Sequence, residues 1–206
     1  MSVVRRSVGE ADGPQQEPVV LVDESGNAVG TAAKHEVHHQ HTPLHLAFSC
    51  YVFDPGSRLL LTRRALGKLT WPGVWTNSFC GHPGPGENIL EAVTRRAREE
   101  LGVGLRHLSV ALPSFRYQAV MANGVRENEL CPVFTAVTSD PVRPDADEVE
   151  EFEWVDWPTF RTEVLARERD VSPWCTEQVA HLAPDAPSSG GAEPDLSALP
   201  AAARPS

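Results

Sequence analysis

Residues 87–103, ENILEAVTRRAREELGV, have one comfortable conformation. Ile89, Leu90, Val93, Ala97 and Leu101 recur at helical spacing, and Gly102 stands where a helix end favours a left-handed residue. This is the clearest helical period in the chain. The remaining apolar runs are of strand length: PVVLVD (18–23), LHLAFSCYVF (44–53), LLLTRR (59–64), SFRYQAV (114–120), ELCPVFTAVT (129–138) and EFEWVD (151–156). ESGN (24–27) and DPGSR (54–58) supply turns. Two shorter helices are expected at WPTFRTEVLARER (157–169) and SPWCTEQVAHL (172–182). Strands broken by a few helices imply an α/β sandwich with helices on both faces of a mixed sheet.

Both ends differ from this middle. Residues 1–17 are polar and aperiodic, and 184–206 are rich in Pro, Ala, Ser and Gly, so both are expected to be disordered tails around one domain at 18–183. A net charge of −10 lacks the basic footprint of a non-specific nucleic-acid binder. No apolar run reaches the roughly 18 residues of a membrane span, and no signal-like segment opens the chain. Cys50, Cys80, Cys131 and Cys175 are far apart, the pattern of reduced thiols in a cytoplasmic protein.

Three groups of residues could carry chemistry. Histidines 35, 38, 39, 41 and 45 cluster before a strand, and His82 lies two residues from Cys80. Imidazole is the commonest metal ligand at neutral pH. Glu127 and Glu129, two apart on a strand, aim their carboxylates to one side. Such a mixed N/O set suits Mg²⁺, Mn²⁺ or Zn²⁺, although an exposed strand rim explains two glutamates as simply. Sixteen arginines stand against two lysines, Lys34 and Lys68, and Arg63, Arg64 and Lys68 gather just before Cys80. In an acidic chain this local positive charge fits a phosphorylated ligand, or a solvated charged face.

Residues 81–103 read G-x5-E-x7-R-R-A-x-E-E-L-G-V and resemble the Nudix box, G-x5-E-x7-R-E-U-x-E-E-x-G-U with U aliphatic. The glutamate after the first arginine is Arg96 here, which removes a carboxylate that hydrolytic members use for metal and counts against diphosphate hydrolysis. Beyond the box, LHLAFS, TRRALGK, WPGVWTNSFCGHP, FRYQA and ENELCPVF resemble, in order and spacing, the type 1 isopentenyl-diphosphate delta-isomerase family. The resemblance spans about residues 18–180. It implies a Nudix-type α/β/α sandwich, usually monomeric, that interconverts isopentenyl and dimethylallyl diphosphate through an allylic proton shift.

Carried over position by position, the resemblance implies one divalent ion (Mn²⁺, Mg²⁺ or Zn²⁺) among His38, His45, His82, Glu127 and Glu129. It implies a second ion, Mg²⁺, at Glu100 with the substrate diphosphate. Lys34, Arg64, Lys68 and Arg96 would contact the diphosphate, and Trp174 would cover the hydrocarbon end. Cys80 and Glu129 would be the catalytic pair, with Tyr117 beside Glu129. The partner implied is a small diphosphate, with no nucleic acid and no membrane. Two rival readings are a Nudix diphosphohydrolase, which would release phosphate, and a binding module that leaves substrate protons in place.

Overall fold

The computed structural model describes residues 18–185 and 195–204. In chain order its elements are β1 (Pro18–Val22), β2 (Ala28–Ala33), α1 (Lys34–Val37), β3 (His45–Leu46), β4 (Phe48–Phe53), β5 (Arg58–Arg64), β6 (Trp75–Thr76) and β7 (Phe79–Gly81). There follow α2 (Ile89–Leu101), β8 (Arg106–Leu112), β9 (Arg116–Val120), β10 (Arg126–Leu130), β11 (Val133–Val137), β12 (Val149–Asp156), α3 (Trp157–Leu165), α4 (Pro173–His181) and a 3-10 turn at Ala201–Ala203.

The strands form two mixed sheets. One runs β2-β1-β3-β10-β9; the other runs β12-β5-β4-β11-β8, with β6 on β5 and β7 on β4. Two expected strands are each divided between the sheets. The run 44–53 breaks at Ala47 into β3 and β4, and the run 129–138 breaks at Cys131 and Pro132 into β10 and β11. Proline cannot donate to a ladder, which makes it a natural crossing point. The two breaks match: β3 pairs parallel with β10, and β4 pairs parallel with β11. One pair of crossings therefore joins the sheets, with Ala47 and Cys131 buried at it.

Alternation along the central strands builds a core on each face. Phe48, Cys50 and Val52 of β4 point to one core with Ile89, Val93, Ala97 and Leu101 of α2. Tyr51 and Phe53 point to the other, with Trp157 and Phe160 of α3 and Trp174 and Val179 of α4. The helix–sheet–helix layering is thus the one the apolar pattern implies. Asn88 caps α2 by accepting from the Leu90 N–H at 2.9 Å. Gly102 ends it at φ +67°, where a Cβ would meet the Arg143 carbonyl at 2.8 Å. The helix expected over 157–169 stops at Leu165, and Arg167 takes a left-handed φ of 60°.

The expected tail at 1–17 lies outside the described residues. At the other end the expectation of disorder from 184 onward is corrected over 195–204. Leu199 and Ala203 are buried against the α2-side core, and the Ala202 N–H donates to the Gly26 carbonyl at 2.9 Å. Proline and alanine dominate the composition there, but leucines 196 and 199 carry enough apolar surface to dock.

Candidate active site

Between the sheets lies a cavity of about 640 Å³. At its base, side chains from four elements converge. His38 follows α1, His45 opens β3, His82 follows β7 and Glu129 lies on β10. One ligand atom from each falls within 4.8 Å of the others. The Nε2 atoms of His82, His45 and His38 lie 3.3, 3.5 and 4.0 Å from Glu129 Oε1. Strand register explains part of this, since Glu129 sits directly beside His45 in the β3–β10 pair.

The donor set fits a cation. His45 Nδ1 is 3.0 Å from the Pro43 carbonyl and donates to it, so in the neutral imidazole the lone pair is on Nε2, the atom that faces the cluster. That Nε2 is buried and has no hydrogen-bond partner among the described residues. An unsatisfied buried imidazole nitrogen is costly unless an ion meets it. Burial by itself would raise the Glu129 carboxyl, but the imidazoles of His38, His45 and His82 gathered around it hold it well below the usual carboxylate range. Burial drives His82 the other way, down to about 4, so this imidazole is neutral and ligand-ready. Glu127 stands beside the cluster without joining the convergent atoms. Burial, then the neighbouring Glu129, raises its carboxyl. The Tyr117 hydroxyl bridges the two glutamates, 3.0 Å from Glu127 and 2.9 Å from Glu129.

The opposite part of the cavity is cationic. Lys34, Arg64, Lys68 and Arg96 all line it. Arg96 on α2 is buried and donates to Glu100 Oε1 through Nε at 2.9 Å and Nη2 at 2.7 Å. Its Nη2 also lies 3.1 Å from Glu148, whose other oxygen binds Lys68. Arg64 Nη2 donates to the Thr70 carbonyl at 2.9 Å. Burial is the main cause that brings the Lys68 ammonium down to about 8, with Glu100 opposing and Arg64, Arg96 and Lys34 adding to it.

Between these regions are Cys80 and the aromatic wall. Trp174 packs 5.6 Å from Tyr117, under the Arg64 guanidinium at 5.9 Å. Desolvation pushes the Cys80 thiol up to about 12, against the Ser49 hydroxyl and the Arg64 guanidinium, which favour the charged form. Cys50, Cys131 and Cys175 are fully buried and away from the cavity lining.

Of the residues singled out in the sequence, His38, His82, Glu127, Glu129 and Glu100 line the cavity, as do Cys80, Tyr117, Trp174 and the four cations. His45 lies behind the lining, at zero exposure. His39 and His41 are exposed and outside the cluster. Glu148 was not singled out: within the acidic run 145–151 nothing in the sequence distinguishes it from surface charge.

A family model, NUDIX domain, matches residues 43–175. The isopentenyl-diphosphate Delta-isomerase of Saccharopolyspora erythraea is 58% identical over 166 residues, 81% of this chain and 86% of its own. The protein of the same name from Clavibacter sepedonicus is 54% identical over 186 residues, 90% of this chain and 97% of its own. Among solved structures, DR0079 from Deinococcus radiodurans superposes with a TM-score of 0.63 at 19% identity, covering 81% of this chain and 99% of that one. A MutT NUDIX hydrolase from Burkholderia pseudomallei superposes with a TM-score of 0.52 at 19% identity, covering 68% and 98%. These two likenesses are of fold.

Proposed function

The chain belongs to the Nudix family and to the isopentenyl-diphosphate Delta-isomerases within it, and we propose that it interconverts isopentenyl and dimethylallyl diphosphate in the cavity between its sheets. The observation that carries this reading is a single cavity lined by a thiol, a histidine-anchored carboxylate and a wall of cations. A diphosphate binds at Lys34, Arg64, Lys68 and Arg96, and the five-carbon end lies toward Cys80 and Trp174. We assign the protein as a cytoplasmic monomer.

The alkene has no carbonyl to absorb charge, so the shift needs an acid and a base in reach of two different carbons. Glu129 and Tyr117 form the donor side: the phenol stays protonated 2.9 Å from the Glu129 carboxylate, and the proton that reaches the terminal methylene comes from this pair. A tertiary cation develops at C3, and the Cys80 sulfur takes a proton from C2. The sulfur must be unprotonated at that moment; the Ser49 hydroxyl and the Arg64 charge favour that form against desolvation. In the reverse direction the neutral thiol is the donor. The Trp174 face offers electron density worth about 0.5–2 kcal/mol to a desolvated cation. Each turnover leaves the two protons exchanged, and both groups reset through solvent.

His38, His45, His82 and Glu129, with Glu127 alongside, would hold one Mn²⁺, Mg²⁺ or Zn²⁺, and Glu100 a Mg²⁺; such ions supply fixed positive charge that orients Glu129 and pairs with the diphosphate.

Proton NMR of the purified protein with isopentenyl diphosphate in D₂O tests the reading. Deuterium entering dimethylallyl diphosphate is the expected result. Release of inorganic phosphate without isomerisation would make the protein a diphosphohydrolase, and binding without deuterium uptake would make it a binding module.

A further inference from the structure

Behind the thiol lies a layer of polar side chains cut off from water. Tyr51, Ser49, Asn77 and Gln178 are fully buried, and none belongs to the ligand cluster or the cation wall. The Tyr51 hydroxyl donates to Gln178 Oε1 at 3.0 Å, and Gln178 Nε2 donates to Ser49 Oγ at 2.9 Å. Ser49 Oγ lies 3.3 Å from Cys80 Sγ and 3.4 Å from Cys131 Sγ. The two strands bring this about directly, since Ser49 on β4 is the register partner of Cys80 on β7. On its other side the Cys80 thiol donates to Asn77 Oδ1 at 3.4 Å. The Asn77 amide cannot turn, because its Nδ2 donates to the Cys50 and Phe79 carbonyls at 3.0 and 2.8 Å.

A hydroxyl has one hydrogen and two lone pairs. Gln178 occupies one lone pair of Ser49, and Asn77 Oδ1, which accepts from Trp174 Nε1 at 3.0 Å and Thr76 Oγ1 at 2.9 Å, presents only an acceptor to the Cys80 sulfur. Among the described residues, the Ser49 O–H is then the one donor within reach of the Cys80 sulfur when that sulfur is to accept a proton, with the Cys131 thiol free to fill the second lone pair. In this arrangement the side chains of Tyr51, Gln178, Ser49 and Asn77 each have a hydrogen-bond partner.

We propose that Ser49, locked by Gln178 and Tyr51, is a positioning residue that fixes the Cys80 sulfur from behind against the Asn77 carboxamide. The inference rests on the isomerase reading, with Cys80 as the group that accepts the C2 proton. A thiol turns freely about one bond, and proton transfer from carbon tolerates little misplacement. A shift of about 1 Å at a reacting atom costs on the order of 10²-fold in rate.

The test uses the full chain with isopentenyl diphosphate, unlabelled or deuterated at C2. Ser49→Ala should lower kcat roughly 10- to 100-fold with little change in KM. It should also raise the C2 isotope effect, because proton removal by an unanchored sulfur becomes the slow step. A merely structural role would lower Tm or the fraction of active protein and leave the isotope effect untouched. Gln178→Met unlocks Ser49 without deleting its hydroxyl and should move kcat and the isotope effect the same way, by less; it carries the test if Ser49→Ala does not fold. Wild-type kcat and isotope effect in either folded variant overturn the proposal. Absence of isomerisation by the unmodified protein would instead overturn the functional reading, so the two failures are distinguishable.

Discussion

Tyr117 and Glu129 are directly opposed in the β9–β10 pair, and the Tyr117 hydroxyl lies 2.9 Å from the Glu129 carboxylate at the base of the cavity. Burial raises the Tyr117 phenol well above its ordinary value, so it is a fixed, protonated donor. A single phenolic hydrogen shared between Glu127 and Glu129 orients both. Tyr117→Phe keeps the ring against Trp174 and removes only the hydroxyl. We expect kcat to fall roughly 10²- to 10⁴-fold, the range of a general acid–base contribution, with Tm little changed. Steady-state kinetics and thermal unfolding on one preparation check this.

Cys80→Ala and Cys80→Ser should abolish turnover while leaving folding and diphosphate binding intact. The thiol contacts neither the ligand cluster nor the cation wall through any hydrogen bond among the described residues; its bonds run to Ser49 and Asn77. Isothermal titration with inorganic pyrophosphate beside a D₂O assay separates the two properties. Near-normal activity in Cys80→Ala removes the mechanism.

Chelation by EDTA should inactivate the protein, and added Mn²⁺ or Mg²⁺ should restore it. Glu129→Gln should lose isomerisation and weaken metal binding together, because one carboxylate serves both. Metal content by mass spectrometry reads the second effect independently of activity. Activity indifferent to chelator would leave the histidine cluster a structural feature.

Lys68 makes the pH dependence specific. Its ammonium is held down to about 8, so it is charged below that pH and neutral above it. A bound diphosphate favours the charged form. KM should therefore climb above pH 8, approaching about tenfold per pH unit, with kcat less affected. In Lys68→Arg the guanidinium keeps its charge, and the upturn should vanish. An upturn that survives in Lys68→Arg would assign it to another group.

Leu199→Ala tests whether residues 195–204 are part of the domain. Leu199 is 1% exposed in the α2-side core. Its truncation should destabilise the protein by roughly 2–5 kcal/mol, measured by urea unfolding, with kcat unchanged. No change in stability would mean that the segment merely rests on the surface.

The sequence carried whatever depends on neighbours along the chain. Helix α2 could be located from its apolar period and its Gly102 stop, because each acts within one or two turns. The order of strands, and the candidates Cys80, His82, Glu127 and Glu129, were likewise legible in short motifs. Folding decided what depends on segments far apart in the chain. His38, His45, His82 and Glu129 meet only because β3 pairs with β10 and β4 pairs with β7. Glu148 becomes the shared partner of Lys68 and Arg96 only once the chain returns from β11 toward β12. The strand crossings at Ala47 and Pro132, and the docking of Leu199, belong to the same class. Periodicity and capping are local hydrogen-bonding and packing effects, whereas convergence of charges in a buried cavity is set by sheet register and by which surfaces lose their water together.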